Sequence, residues 1–180
     1  MAIIIEVDIF MKFNVSDLDD RLGEPAAFEF VTNAQEIDAL TEAYSFKGDI
    51  AVKGEYVNTG RCYRFTGQIE CTKSFVCDRC LEPSLQQQEH SFNEEFQRGK
   101  ELAVNGEKAK IVNYFDGDVI DLAPVIRDVL LSDQPLNNIC NADCRGLCLK
   151  CGANLNHGDC GCDRTVIDPR LAALQQLLLK

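Results

Sequence analysis

Ten cysteines in 180 residues constrain this chain more than any other feature, because eight of them fall in close pairs. The pairs are Cys77-x-x-Cys80, Cys140-x3-Cys144, Cys148-x-x-Cys151 and Cys160-x-Cys162. Zinc takes four ligands in a tetrahedron and favours thiolates. A C-x-x-C turn sets two sulfurs on one side of a tight loop, and a second pair closes the tetrahedron from another loop. Cys148, Cys151, Cys160 and Cys162 do this within fifteen residues and form a first candidate site. Gly152, directly after Cys151, lets the backbone fold over so that amides reach the sulfur charge. Cys77, Cys80, Cys140 and Cys144 form a candidate second site, which requires distant segments to meet. A competing partition joins Cys140, Cys144, Cys148 and Cys151 and leaves Cys77 and Cys80 free. His157 is a spare ligand candidate, read here as a solvent-facing loop residue. Cys62 and Cys71 lack paired spacing; Cys71 reads as a small buried hydrophobe.

Other uses of thiols fit less well. The chain is long enough to bury a core without covalent staples, and a disulfide framework belongs to small secreted domains. The spacings match no iron–sulfur signature. A redox dithiol at Cys77 and Cys80 would make the chain a thiol–disulfide oxidoreductase. Such pairs sit at helix N-termini, whereas this one lies between two strand patterns with Asp78 inside it. Structural zinc is therefore the favoured cofactor. With every position filled by thiolate, the ion would lack the open site that catalysis requires. There is also no phosphate-cradling loop, nucleophile elbow or H-E-x-x-H. The chain reads as a non-enzyme with no small-molecule substrate.

The formal net charge of −11 argues against non-specific coating of nucleic acid or anionic membrane. It also weakens the alternative of a zinc-ribbon nucleic-acid regulator. Residues 140–180 are nearly balanced, with Arg145, Lys150, Arg164, Arg170 and Lys180 against Asp143, Asp159, Asp163 and Asp168. The acidic excess lies in the first 139 residues and suits a basic partner, although an acidic surface also simply aids solubility. No segment reads as a secretory signal or a bilayer span, so the expected location is the cytoplasm, with no membrane partner.

The fold class expected is α+β: an antiparallel sheet, a helix near 121–131, a cysteine-rich zinc-knuckle segment and a C-terminal helix. A sheet domain over 1–135 would precede a cysteine-rich unit over 136–180. Tyr44, Phe46, Ile50, Val52 and Tyr56 alternate with polar residues, as do Tyr63, Phe65, Ile69, Cys71 and Phe75. Asn58-Thr59-Gly60 is read as the turn between these two strands. A weaker strand follows over 84–97, and Ile3–Phe13 suits another. Residues 31–42 fit a short strand or helix, and 102–115 a loop or hairpin. Asp121 is the candidate N-cap of "DLAPVIRDVLL", with Pro124 early in the helix. "DPRLAALQQLLL" has Asp168 as cap and Pro169 at the first helical position.

The segments "VCDRCLEP", "DVIDLAPVIRDVLL", "CNADCRGLCLKCGANLN", "CGCD" and "DPRLAALQQLL" occur in that order. Over residues 45–180 the chain resembles the bacterial YceD family, the large ribosomal RNA subunit accumulation proteins. The resemblance implies a non-enzymatic factor in large-subunit biogenesis, acting on large-subunit ribosomal RNA precursor or a basic large-subunit ribosomal protein. Cys77 and Cys80 match the family's cysteine pair, and Cys140 to Cys162 match the fuller pattern of many members. Leu149 stands where many members place Pro. Arg145, Lys150, Arg164 and Arg170 are the candidate RNA-contacting residues.

Overall fold

The computed structural model describes residues 11–19, 22–99 and 113–163. The chain divides into two compact units, one built from residues 1–75 and 83–136, the other from 76–82 and 137–180.

The first unit is a sheet unit. Its strands are β1 (Lys12–Asn14), β2 (Pro25–Thr32), β3 (Tyr44–Phe46), β4 (Ile50–Asn58), β5 (Tyr63–Val76), β6 (Pro83–Arg98), β7 (Asn113–Phe115) and β8 (Val119–Asp121). Among the described residues two helices accompany them, α1 (Ser16–Asp19) and α2 (Ala123–Ser132). Six strands form one sheet in the order β2-β4-β5-β6-β7, with β3 also pairing β5. β2 with β4, β3 with β5 and β4 with β5 pair antiparallel, whereas β6 and β7 run parallel, so the sheet is mixed. A separate antiparallel ribbon joins β1 to β8.

Alternation explains which face is buried. Ile50, Val52 and Tyr56 of β4 and Phe65, Ile69 and Cys71 of β5 point into one core. Phe13 from the β1–β8 ribbon lies edge-on to Phe65 and Phe28, with ring centres 5.0 and 5.2 Å away. Such edge contacts add to the area each ring buries. Val125, Ile126 and Leu130 of α2 enter the same core. Lys73 is fully buried on this face, beside the rings of Tyr44 and Phe75.

Several local expectations change. The 44–58 run is two strands, because Gly48 takes φ 74° between them. Both then share one edge of β5: β4 pairs with its first half and β3 with its last. The β4–β5 turn has four residues, 59–62, since Asn58 faces Tyr63 directly and Thr59 N–H donates to the Cys62 carbonyl. The N-cap of α2 is Leu122 rather than Asp121, although Asp121 Oδ1 still accepts from Ala123 N–H at 2.9 Å. Residues 31–32 close β2, and 113–115, expected as loop or hairpin, form β7. The expected C-terminal helix, Arg164 and Arg170 lie outside the described residues, as does most of Ile3–Phe13.

Candidate metal centres

The second unit is organised by two knuckles of the same design. Cys77 N–H donates to the Glu82 carbonyl at 2.9 Å, and Leu81 N–H donates back to the Cys77 carbonyl at 2.8 Å. Cys148 N–H donates to the Ala153 carbonyl at 2.8 Å, and Gly152 N–H to the Cys148 carbonyl at 2.8 Å. In each, the residue after the second cysteine is left-handed: Leu81 at φ 59° and Gly152 at φ 74°. That residue reverses the chain so that amides inside the turn face the first sulfur. The first knuckle lies in the chain between β5 and β6, and the second caps a one-bridge hairpin between Leu147 and Asn154.

The thiols assemble in two groups of four. Cys77, Cys80, Cys140 and Cys144 form one, Cys148, Cys151, Cys160 and Cys162 the other, with the sulfurs of each group within 4.8 Å of one another. The partition joining Cys140 and Cys144 to Cys148 and Cys151 does not occur in this structure. In the first group, Cys77 and Cys144 sulfurs lie 3.9 Å apart and Cys80 and Cys140 sulfurs 3.7 Å. These separations are far too long for a disulfide bond. A tetrahedron with metal–sulfur bonds of about 2.3 Å has edges of about 3.8 Å, so the donor set fits a four-coordinate thiophilic ion. Both groups could hold a metal ion.

The first group is the more enclosed. Cys77, Cys80 and Cys144 are buried with Ile139 packed on them, and only Cys140 is exposed. In the second, Cys148 alone is buried. Hydrogen bonding separates the thiols further. Burial would raise Cys77, but backbone amides of Cys140, Cys80 and Arg79 donate to its sulfur and bring it down to about 6. The amides of Cys151 and Lys150 bring Cys148 to about 6. Cys140 is pushed up to about 12 by burial and by neighbouring thiols. Cys162 is pushed up to about 12 by its hydrogen bonds with Cys151 and Cys160. Each group thus contains a preformed thiolate and a thiol that gives up its proton only to a strong competitor such as a metal ion.

Residues around the sulfurs set the positions of the ligands. Asp78 N–H donates to the Asn138 carbonyl at 2.8 Å, and Asn138 N–H donates to Asp78 Oδ2 at 2.6 Å. This pair ties the first knuckle to the strand of chain that delivers Cys140. Arg79 Nη1 donates to the Cys144 carbonyl at 3.1 Å, and the Arg79 carbonyl accepts from Leu147 N–H. Asn156 Nδ2 donates to Cys144 Sγ at 3.4 Å. Apart from Asp78, noted as the acidic residue inside the first pair, none of these residues stands out in the sequence; the cue is a surplus of Asx residues around the cysteines, suited to turns that bond their own backbone. Among the candidate RNA-contacting residues, Arg145 and Lys150 are exposed. His157 belongs to neither sulfur group and lies 3.2 Å from Glu82 Oε1.

The family model described as "Large ribosomal RNA subunit accumulation protein YceD" matches residues 65–178. The chain belongs to the YceD family. The matched span of this YceD-family chain takes in all eight paired cysteines. A chloroplastic YCED homolog 1 of Arabidopsis thaliana, named a large ribosomal RNA subunit accumulation protein, is 41% identical over 58 residues, 32% of this chain and 18% of that protein. The Zea mays protein of the same name is 31% identical over 120 residues, 52% of this chain and 41% of that protein. An uncharacterized protein of Mycobacterium tuberculosis is 29% identical over 166 residues, 90% of this chain and 73% of that protein. The chain therefore spans less than half the length of the plant relatives it matches. No solved structure matches it. Among the described residues no helix is long and apolar enough to cross a membrane.

Proposed function

We propose that this chain is a non-enzymatic, cytoplasmic factor in biogenesis of the large ribosomal subunit, acting by binding, with zinc at both cysteine groups. Membership of a family named for large-subunit ribosomal RNA accumulation carries the role. The tetrahedral fit of four sulfurs supports zinc and a structural rather than catalytic ion, because thiolate fills every position.

Charge favours a basic ribosomal protein over RNA as the direct partner. The described residues of the second unit carry Arg79, Arg145 and Lys150 against Asp78, Glu82, Asp143, Asp159 and Asp163. A zinc ion held by four thiolates adds a further net charge of about −2 at each site. The near balance counted with neutral thiols therefore becomes a clear negative excess once metal binds. Arg145 and Lys150 would have to reach RNA phosphates from within that field. A large-subunit RNA precursor remains the competing partner, and Arg164 and Arg170 its further candidate contacts.

The experiment is capture of the tagged chain from its own cells, with and without RNase. Recovery of one basic large-subunit protein after RNase supports the reading. Release of all ribosomal material by RNase moves the contact to RNA, and no ribosomal enrichment overturns the role.

One observation favours a second reading, thiol–disulfide exchange at Cys77 and Cys80: the Cys77 thiol is held at about 6. Against it, Cys77 is fully buried, its sulfur faces Cys144, and a metal ligand needs the same depressed value. Alkylation of Cys77 in the zinc-loaded chain decides between them; rapid reaction and turnover with a dithiol would favour exchange.

A further inference from the structure

The loop that links the two halves of the second sulfur group also touches the first. It leaves Cys151, runs through Asn154, Leu155 and Asn156, and returns to Cys160. Along the way it is stitched to the segment that follows Cys144. Leu155 N–H donates to the Gly146 carbonyl at 2.9 Å, and Leu147 bridges Asn154. Asn156 Oδ1 accepts from Arg145 N–H at 2.7 Å. A backbone amide can only donate, so this bond fixes which end of the Asn156 side chain is oxygen. The amide nitrogen must then face Cys144 Sγ, 3.4 Å away. Asn156 is itself oriented by its N–H, which donates to Asn154 Oδ1 at 2.9 Å.

From this geometry we infer that Asn156 couples the two metal sites, so that loading the Cys148–Cys162 group strengthens metal binding at the Cys77–Cys144 group. The inference rests on the proposal that both groups bind metal. Closing the second group pins both ends of the 152–159 loop and holds the Asn156 amide against a ligand sulfur of the first. A hydrogen bond to a ligand thiolate offsets part of its charge and fixes its direction, and losing such a partner costs about ten- to a hundredfold in metal affinity. Without the second ion the loop is held by its hydrogen bonds alone, and more of the cost of ordering Asn156 falls on binding of the first ion. Coupling of this kind is reciprocal: the first ion must tighten the second site by the same factor.

The test is Co2+ titration of the full chain, read by thiolate-to-cobalt absorption. The variants are the wild type, N156A, N156D, the double variant C160S/C162S, and C160S/C162S with N156A. Removing the second site should weaken the first about tenfold. N156A should weaken it by a similar factor in the intact chain and by little when Cys160 and Cys162 are already replaced. N156D keeps the acceptor for Arg145 N–H but sets a negative charge against Cys144 Sγ. A purely structural turn residue would tolerate N156D, whereas the coupling requires a loss at least as large as that of N156A. Equal first-site affinity in all five proteins, or an N156D chain that binds like wild type, overturns the coupling. A wild type that develops no thiolate-to-cobalt absorption would overturn the metal proposal itself, and the coupling with it.

Discussion

Leu81 and Gly152 do the same job in the two knuckles with different chemistry. Both take the left-handed backbone that lets the chain turn back over the first cysteine, at φ 59° and 74°. A side chain there presses its Cβ toward the following carbonyl, at a cost of about 1–2 kcal/mol, which glycine avoids. Leu81 is mostly exposed, so little packing offsets the strain. We expect Leu81→Gly to stabilise the metal-loaded second unit by up to about 1 kcal/mol, after glycine's larger entropy in the unfolded chain is set against the relief. Gly152→Ala should destabilise it by about 1 kcal/mol. Urea unfolding of the loaded chain checks both, and opposite signs at two equivalent positions are the required result.

At the scale of elements, the long β4–β5 pairing depends on a point where the strands approach too closely for side chains. Gly54 and Gly67 face each other across it. A Cβ on Gly67 would sit 2.6 Å from the Lys53 carbonyl oxygen and 2.8 Å from the Phe92 ring. Gly67→Ala should therefore cost about 2 kcal/mol, as overpacking of a filled core does, seen as a lower urea midpoint with an unchanged slope. The sequence announces β4, β5 and β6 through period-two alternation, and α2 through its early Pro124 and the helical spacing of Leu122, Val125, Ile126 and Val129. It does not announce β2, whose inward residues include the small Ala26 beside Phe28 and Phe30, so the apolar period is faint. Nor does alternation say that β3 and β4 share one edge of β5, which is a fact of pairing rather than pattern. The candidate site divides the same way. The Cys148–Cys162 group is legible because its ligands are local. The joining of Cys77 and Cys80 to Cys140 and Cys144 could be posed as one partition among others, and only the fold selects it. Asn156 is invisible beforehand, since its role depends on which backbone amide happens to fix its side chain.

Across the whole molecule, the two units draw on different sources of stability. The first has an apolar core that runs through both sheets and α2. The second, among its described residues, buries little beyond Cys77, Cys80, Cys144, Cys148 and Leu155. Removal of metal should therefore unfold one unit and spare the other. After chelation, amide exchange should rise across 77–82 and 137–163 while β4 and the first half of β5 stay protected. Simultaneous loss of protection in both units would refute this division.

Acid should do what the chelator does, and in a defined order. At neutral pH, Cys140 and Cys162, pushed up to about 12, keep their protons until a metal ion displaces them. Metal affinity therefore rises with pH across the neutral range. Cys77 and Cys148, held at about 6, are already thiolates there and cost the metal nothing. Once pH falls below about 6 they too take up protons, and each site must then displace one proton more. The sign agrees with the linkage for a depressed acid: its stabilising contribution exists at high pH and is lost as pH drops through the folded value. Zinc release followed with a chromophoric indicator should steepen below about pH 6. In Cys148→Ser, which removes one of the two depressed thiols, half of that steepening should disappear while the Cys77–Cys144 site keeps its own. A release curve with the same slope on both sides of pH 6 would show that the knuckle amides do not hold these sulfurs as thiolates.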